Sequence, residues 1–302
     1  MSNIPGATGV ETGAAPEPIG GRKGSDTLHF ARRNPKLIIG LGIVVAFLLL
    51  GIIGPFFIDH GPNQYIGPQS QKPSGEHWLG TTTFGQDIWA QFVYGVRATF
   101  LIGFFGGGVA FLLGTAIGFF AGYKGGLVDE VLNMLTNVVL VLPALVVLII
   151  AVAYLDARGL FIQAVFIGLT TWPWAARAVR SQTLSLATRE YVDLARLSGR
   201  RTWRIITTEV APNMSSYLVM SFILLFGGAV LTAAGLDFIG LGPSDGVSLG
   251  LMLQNSVEWS ALQLGMWWWF VPPGLAITTI VGAMYILNVG LDEVFNPKLR
   301  EL

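Results

Sequence analysis

The segment from residue 177 to residue 213 has the charge pattern of a surface that binds another protein. It carries seven of the chain's 18 basic residues, namely Arg177, Arg180, Arg189, Arg196, Arg200, Arg201 and Arg204. Three acidic residues, Glu190, Asp193 and Glu209, lie among them. This mixture of signs favours contacts with a protein partner over the alternative interpretation, a basic helix pair lying on anionic lipid.

Helical periodicity gives the same segment an apolar face. Through residues 181–198 the apolar side chains recur at helical spacing, at Leu184, Ala187, Tyr191, Leu194 and Ala195. Gly199 interrupts the pattern, and Trp203, Ile206 and Val210 resume it up to Pro212. The sequence therefore predicts an amphipathic helix, a glycine turn and a second short helix, whose apolar face needs a partner.

Other chemically active side chains are few. The chain has no cysteine, which excludes disulfides, thiolate metal sites and cysteine nucleophiles. His29, His60 and His77 lie far apart without a helical partner that would suggest a metal site, so we expect them to be solvated or interfacial. No Gly-x4-Gly-Lys-Ser/Thr sequence occurs, so the chain does not bind ATP by that loop.

The composition indicates a membrane protein. Of the 302 residues 52% are hydrophobic and 12% charged, with a mean hydropathy of +0.61, whereas soluble domains carry about twice that charged fraction. The net charge is zero, so no overall basic field favours nucleic acid as a partner. These values predict an all-α integral membrane protein.

Six runs without Asp, Glu, Lys or Arg are candidates for membrane-spanning helices, since a bilayer core requires roughly 20 residues of helix. They are residues 37–58, 98–121, 131–155, 160–176, 217–236 and 265–288, of which the fourth is short. With the amino terminus inside, all basic residues except Lys72, Arg97 and Arg158 fall on the cytoplasmic side. This bias predicts that both termini are cytoplasmic.

Local composition suggests how some of these runs are used. Small residues four apart in the second run, at Gly103/Gly107 and Gly114/Gly118/Gly122, predict close packing on another helix. Three tryptophans, residues 267–269, are expected to form an aromatic belt at the headgroups. The pair Pro272–Pro273 is the best candidate for a bend, beside Pro143 and Pro173.

The docking segment also resembles a known family. It resembles the Glu-Ala-Ala-x3-Gly…Pro signature of ABC importer permeases. The matching residues are Asp193-Leu194-Ala195, then Gly199 after three further residues, and Pro212 thirteen positions later. Asp193 and Leu194 replace the Glu and the first Ala of the signature. Five other stretches resemble the C-type permease of the dipeptide, oligopeptide and nickel branch. They are Phe-Ala-Arg-Arg-Asn (30–34), His-Trp-Leu-Gly-Thr (77–81), Gly-Gln-Asp (85–87), Phe-Ile-Gly-Leu-Gly (238–242) and Asn-Pro-Lys-Leu (296–299). The resemblance covers about residues 28–300.

That resemblance implies a type I importer fold and a set of partners. Residues 1–27 would be a disordered cytoplasmic tail and residues 28–302 a permease domain, with a coupling loop at about 177–213 and an external loop at about 59–93. This chain and a sister permease would form the pathway in the prokaryotic cytoplasmic membrane. Two ATPase subunits would bind the coupling loops, and an extracytoplasmic solute-binding protein would deliver the substrate. ATP and Mg would be held by the partners, with no cofactor, metal or enzymatic activity in this chain.

The resemblance also assigns roles to residues. In the coupling loop we expect apolar contacts with the ATPase from Tyr191, Leu194, Ala195 and Trp203, polar contacts from Asp193 and Arg196, and the turn at Gly199; Glu190 and Pro212 complete the set. On the outer side the external loop is expected to bind the binding protein or the sister permease, or simply to cap the vestibule. Asp237, Pro272 and Pro273 are candidates for the substrate pathway or its entrance. For Asp237 we favour simple solvation at the membrane edge over substrate contact.

Two other classes of function fit less well. A secondary transporter would need acidic residues at the membrane midplane, and a membrane-embedded enzyme would need clustered His, Asp, Glu or Cys in its spans. All six runs lack charge, which disfavours both. The expected cargo is peptides, and the same machinery importing oligosaccharides or a nickel complex is the alternative.

Overall fold

The computed structural model describes residues 34–154, 159–244 and 246–295, and this part of the chain is built of helices. In chain order they are α1 (Pro35–Ile53), α2 (Ile88–Lys124), α3 (Gly126–Val141), α4 (Ala144–Tyr154), α5 (Leu160–Ala187), α6 (Glu190–Leu197), α7 (Thr202–Ile205), α8 (Ala211–Asn213), α9 (Ser215–Leu236), α10 (Leu249–Glu258) and α11 (Trp267–Phe295). A 3-10 turn (Gly54–Phe57) extends α1, and π-helical turns follow α7 (Ile206–Val210) and α9 (Asp237–Leu241). The predicted tail (1–27), residues 28–33 and the motif at 296–299 lie outside the described residues.

The all-α membrane architecture is confirmed. Within the described residues α1, α2, α9 and α11 are each long and apolar enough to cross a bilayer, α1 and α9 together with the turns that extend them. Helices α3 and α4 qualify as a fifth span only if the bent pair is counted as one. Helix α5, which contains the short fourth run, does not meet that criterion, so the count of six spans stays a prediction.

The third apolar run is divided into two helices. Helix α3 ends at Val141, Leu142 is extended (φ −70°, ψ 127°), and α4 starts at Ala144 with its axis bent by 78° from that of α3. Pro143 explains the break, because proline supplies no N–H to the helix and forces the residue before it out of the helical conformation. The apolar run at residues 131–155 is therefore a bent pair of helices, with the kink that a proline inside a span permits, and whether the pair forms one span stays a prediction.

Helix α2 is the longest element, with 37 residues. It begins at Ile88, well before the predicted start at residue 98, because the Asp87 side chain caps it by accepting a hydrogen bond from the Trp89 N–H (3.0 Å). The external loop consequently ends at residue 87 instead of about 93. Within it, isolated bridges pair Tyr65 with Gln86 and Thr81 with Asp87, and the rings of Trp78 and Trp89 lie 5.3 Å apart.

The glycines of α2 lie where two other helices come closest to it, which confirms the predicted close packing. A Cβ on Gly118 would lie 2.7 Å from the carbonyl oxygen of Ala176 on α5, and one on Gly107 would lie 2.9 Å from the Cα of Phe226 on α9. Small residues allow this approach where lipid provides no hydrophobic drive between helices. Helix α2 is thus fixed between α5 and α9.

The first and last described helices are joined near their ends. Asn34 caps α1 through its Oδ1, which accepts from the Leu37 N–H (3.1 Å), and its Nδ2 donates to Glu293 on α11 (2.8 Å). Lys36 forms an ion pair with the same carboxylate. Gly290 allows the contact, since a Cβ there would lie 2.6 Å from the backbone nitrogen of Leu37.

The tryptophans at the start of α11 do not form a belt. Trp267 is exposed, as expected for an interfacial residue, but Trp268 and Trp269 are buried in the core formed by α1, α2, α9 and α11. Their indole N–H groups have no hydrogen-bond partner there. The belt prediction is therefore wrong for two of the three residues, because consecutive helix positions point in different directions and only one can face outward.

Candidate functional site

The candidate docking segment starts later than its charge pattern suggested. Residues 181–187 are the last turns of α5, and the helix stops at Thr188, whose hydroxyl donates to the Ser185 carbonyl (3.2 Å). Arg189 is extended (φ −82°, ψ 145°), and α6 begins at Glu190. The predicted single helix over residues 181–198 is therefore wrong. The loop boundary at about residue 177 stays a prediction, although α5 continues past that residue as a helix.

A glycine turn separates α6 from α7, as the sequence predicted. Gly199 has φ = +71°, a conformation that residues with a Cβ adopt at a cost. Its N–H donates to the carbonyl of Arg196 (3.0 Å), and the Arg200 N–H reaches that of Ala195 (3.4 Å). These two hydrogen bonds form a Schellman motif, which satisfies carbonyls at the carboxyl end of α6 and reverses the chain direction.

One side of the segment is packed against the helices of the membrane domain. Val192 and Ala195 of α6 are buried together with Ile205, Ile206 and Val210. They form one cluster with Phe119 of α2, Val179 of α5 and Met214. Burial of this size gives the segment a fixed position on α2 and α5. Ala195, which we expected to contact a partner, lies in this internal cluster.

The opposite side of the segment is apolar and exposed. Leu194, Leu197 and Trp203 have 64%, 85% and 62% of their surface accessible, and we call these three residues the docking face. The Trp203 ring stacks on Phe120 of α2 at 6.1 Å, which fixes its orientation. The sequence predicted Leu194 and Trp203 but missed Leu197, although its position three residues after Leu194 on a helix was a sufficient signal.

Two arginines of the segment are paired with carboxylates within the chain. Arg196 donates to Asp193 (3.0 Å) and to the Tyr123 hydroxyl (3.2 Å), and its guanidinium lies 4.9 Å from the centre of the Tyr123 ring. The hydrogen bond with Tyr123 raises the pKa of Arg196 further, so this cation keeps its charge at any physiological pH. Arg200 pairs with Glu209 at 2.7 Å across the turn.

The remaining predicted docking residues occupy less central positions. Glu190 is exposed in the first turn of α6, where a carboxylate is favoured by the helix dipole. Tyr191 is half-buried against the internal cluster, and Pro212 is exposed in α8. The contacts that these residues make with a partner stay predictions.

At the opposite end of the helices, Asp237 is buried, with 1% of its surface accessible. Gln163 of α5 donates to its Oδ1 (2.6 Å), and Ser248, the cap of α10, donates to its Oδ2. Gly250 lets α10 lie directly over it, since a Cβ there would lie 2.7 Å from the Asp237 Cβ. The expected solvation of Asp237 is therefore wrong, because α10, which was not predicted, excludes water from it.

We expect Asp237→Leu to destabilise the protein by about 2–4 kcal/mol, since it leaves the Gln163 and Ser248 donors buried without an acceptor. Asp237→Asn is expected to cost about 1 kcal/mol or less, because the Gln163 amide can turn and accept from the new amide. Thermal unfolding of the purified protein in detergent measures both. Equal unfolding temperatures for Asp237→Leu and the wild type would contradict this role.

Besides Asp237, the sequence singled out two prolines and two histidines at this end of the molecule. Helix α11 continues through Pro272, which is half-buried, and Pro273, which is buried. His77, expected to be solvated or interfacial, is buried and therefore not solvated, and His60 lies 3.2 Å from Asp87. A cavity of about 610 Å³ beside His60 is lined by Glu76, Trp78 and Trp89. Within the described residues no three His, Asp or Glu side chains are grouped as metal ligands.

Comparison with known proteins agrees with this geometry. Residues 114–301 match the family described as "Binding-protein-dependent transport system inner membrane component". The chain is 31% identical over 277 residues to the dipeptide transport system permease protein DppC of Bacillus subtilis, covering 91% of this chain and 86% of that protein. It is 30% identical over 279 residues to the oligopeptide transport system permease protein OppC of the same organism, covering 91% of this chain and 90% of that protein. It is 28% identical over 275 residues to the glutathione transport system permease protein GsiD of Pectobacterium atrosepticum, covering 90% of each chain.

Proposed function

Because the chain belongs to the family of binding-protein-dependent transport system inner membrane components, we propose that it is the permease subunit of an ATP-driven peptide importer. It is a multi-pass inner-membrane protein and a transport component of an ABC system. With a sister permease it would form the pathway for the substrate. ATP and Mg would be bound by two partner ATPase subunits, and an extracytoplasmic binding protein would deliver the peptide.

The docking face is the observation that supports this proposal most directly. Leu194, Leu197 and Trp203 expose apolar surface on a segment whose other side is fixed to α2 and α5. A surface of this kind on a rigid support is suited to a hydrophobic groove of another protein. We propose that this groove is on an ATPase subunit, with Glu190, Tyr191, Asp193, Arg196 and Pro212 around the contact and Gly199 forming the turn.

Movement of the docking face would reach the membrane through α5. This helix ends at Ala187, just before α6, and runs from there into the bundle without a break. Its Arg180 binds Asp129 of α3 with two hydrogen bonds, one of 2.6 Å. When ATP draws the partner subunits together, the docking face would move with them and α5 would rotate together with α2 and α3. This rotation would change the access of the pathway from inside to outside.

The orientation follows from charge. Residues 177–213 contain seven basic residues, and in the arrangement proposed here the basic residues outside the cytoplasm are Lys72, Arg97 and Arg158. We therefore propose that both termini and the docking face are cytoplasmic. The loop before α2 and the helix α10 then face the binding protein, and Asp237, Pro272 and Pro273 remain candidates for the entrance of the pathway.

Peptide cargo is supported by the relatives, whose names specify dipeptides, oligopeptides and glutathione. To test it, the tagged chain is purified from native membranes in mild detergent, and its copurified subunits are identified. The complex is then reconstituted with the binding protein, and ATP hydrolysis is measured with dipeptides, oligosaccharides and a nickel chelate. Stimulation by dipeptides alone is expected.

Each part of the proposal has a distinct contrary result. Stimulation by the oligosaccharide or the nickel chelate alone would overturn the peptide assignment and leave the permease assignment intact. Ion-driven transport by the chain purified without any ATPase would overturn the importer itself.

A further inference from the structure

A laterally open cleft of about 700 Å³ lies between α1, α2, α9 and α11. Its walls are almost entirely aliphatic and aromatic, and include Val44, Leu48, Leu101, Phe104, Phe222 and Met284. Leu48 and Phe104 are exposed at its mouth. None of its lining residues belongs to the docking face, and neither the coupling nor the transport proposal uses the cleft.

One charged side chain, Arg97 of α2, lines this cleft. Arg97 is exposed and has no hydrogen bond or ion pair with the described residues. Its other polar neighbour in the lining is Tyr94, one helical turn away. Gly51 brings α1 against α2 at this point, since a Cβ there would lie 3.1 Å from the Arg97 Cα. The cleft therefore combines one unpaired cation with an apolar interior.

The position of Arg97 along α2 matches the level of lipid headgroups. Helix α2 contains no Asp, Glu, Lys or Arg between Arg97 and Lys124. At 1.5 Å per residue these two cations lie about 40 Å apart along the helix axis. This is close to the thickness of a bilayer including its headgroup regions. Lys124 and Arg97 therefore lie near the headgroups of opposite leaflets, with Arg97 in the leaflet opposite the docking face.

We propose that this cleft binds a phospholipid, whose phosphate accepts hydrogen bonds from Arg97 while an acyl chain lies between α1 and α9. A guanidinium binds phosphate oxygens well, because its N–H donors match their geometry. The apolar walls supply no other strong donor or acceptor apart from Tyr94. A molecule with one anionic headgroup and a long apolar chain satisfies both parts of the site.

Other occupants fit the cleft less well. A peptide would bring an N–H and a C=O for each residue, and the lining lacks the polar groups to satisfy them. A helix of the sister permease would fill the apolar part but would leave Arg97 buried and unpaired, which is costly. Charge and apolar surface together therefore favour lipid.

The test is native mass spectrometry of the purified protein with its copurified subunits, titrated in detergent with dioleoyl phosphatidylglycerol. We expect Arg97→Gln to weaken the tightest lipid-binding event about tenfold or more, because one charge-assisted contact is lost. Arg97→Lys should retain most of the binding. Lys72→Gln, which removes an exposed cation outside the cleft, is the matched control and should bind like the wild type.

Further arms separate the possible occupants. Glycerol 3-phosphate carries the phosphate without acyl chains, and it should not displace the lipid. The Leu101→Trp substitution fills the cleft and keeps Arg97, and it should weaken lipid binding. Equal lipid binding by Arg97→Gln and the wild type would overturn the proposal. Displacement of the lipid by a transported dipeptide would also overturn it and would place the cleft on the substrate pathway. Loss of the sister permease from the Arg97→Gln complex would overturn it as well and would make the cleft a subunit interface.

Discussion

Replacing Leu194 and Leu197 together with aspartate is expected to abolish binding of the ATPase subunits while leaving the permease folded. Both side chains lie on the exposed side of α6, and neither belongs to the buried cluster that fixes the segment. The substitution should therefore change the unfolding temperature of the isolated chain little. Copurification with the ATPases and substrate-stimulated ATP hydrolysis should both be lost.

The size of this effect follows from the area that docking would bury. Full burial of one leucine side chain contributes about 1.5–3 kcal/mol, so two leucines contribute about 3–6 kcal/mol if the docking face enters a groove. Each 1.4 kcal/mol changes affinity tenfold, which predicts a loss of about 10²- to 10⁴-fold. Two carboxylates in an apolar groove add a desolvation cost, since neither would find a partner there.

The chain offers a matched control at the opposite end of the molecule. Leu262 and Leu264 are two leucines of similar exposure between α10 and α11. Their replacement by aspartate introduces the same charge, and it should leave ATPase copurification unchanged. Full recovery of the ATPases with the Leu194/Leu197 variant would show that the docking face is not the site of coupling.

The sequence predicted this site well because its signals are local. Gly199 interrupts a helical apolar pattern, and the structure has a left-handed turn at that residue. The pattern did not show that the helix stops at Thr188, because residues 181–198 keep one apolar face across the break. It also did not separate Ala195, which faces inward, from Leu194, which faces outward, since neighbouring positions on a helix differ by about 100°.

The errors at the other end have a common physical cause. Asp237, Trp268 and Trp269 were assigned to an interface because they border apolar runs, and each is buried in the structure. Sequence hydropathy predicts the position of a residue along the membrane normal, but it does not predict which neighbouring helices pack against that residue. Helix α10 covers Asp237, and the two tryptophans lie in a core cluster to which α1, α2, α9, α10 and α11 all contribute, so both results depend on tertiary packing.

The same distinction applies to Arg97. Its position at the end of a charge-free run predicts a residue at the membrane edge, and in the structure the helix extends beyond it to Ile88. The cleft beside it depends on how α1 and α9 are spaced around α2, which no single apolar run encodes. The level of Arg97 in the bilayer is thus an expectation that one sequence supplies, whereas its neighbours at that level become visible only in the structure.

Substitution of Gly118 by leucine is expected to prevent the protein from reaching its folded state. The new Cβ would lie 2.7 Å from the Ala176 carbonyl oxygen and 2.8 Å from the Val179 Cβ, both on α5. A backbone carbonyl cannot retreat unless α5 moves away from α2, and this movement would also open the contacts at Gly114 and Gly122. Because overpacking of a single side chain already costs about 1–3 kcal/mol, we expect a destabilisation above about 3 kcal/mol for Gly118→Leu.

Gly108 provides the control for this prediction, because it lies on the same helix and a Cβ there would meet no atom within 4 Å. Gly108→Ala should be neutral or stabilising by up to about 1 kcal/mol, since alanine favours a helix over glycine, whereas Gly118→Ala should destabilise. The two alanine variants thus differ in sign, which separates close packing from helix propensity. The yield of monodisperse protein and its unfolding temperature in detergent measure all three substitutions. A Gly118→Leu protein as stable as Gly108→Ala would show that α2 and α5 do not pack at this distance in the membrane.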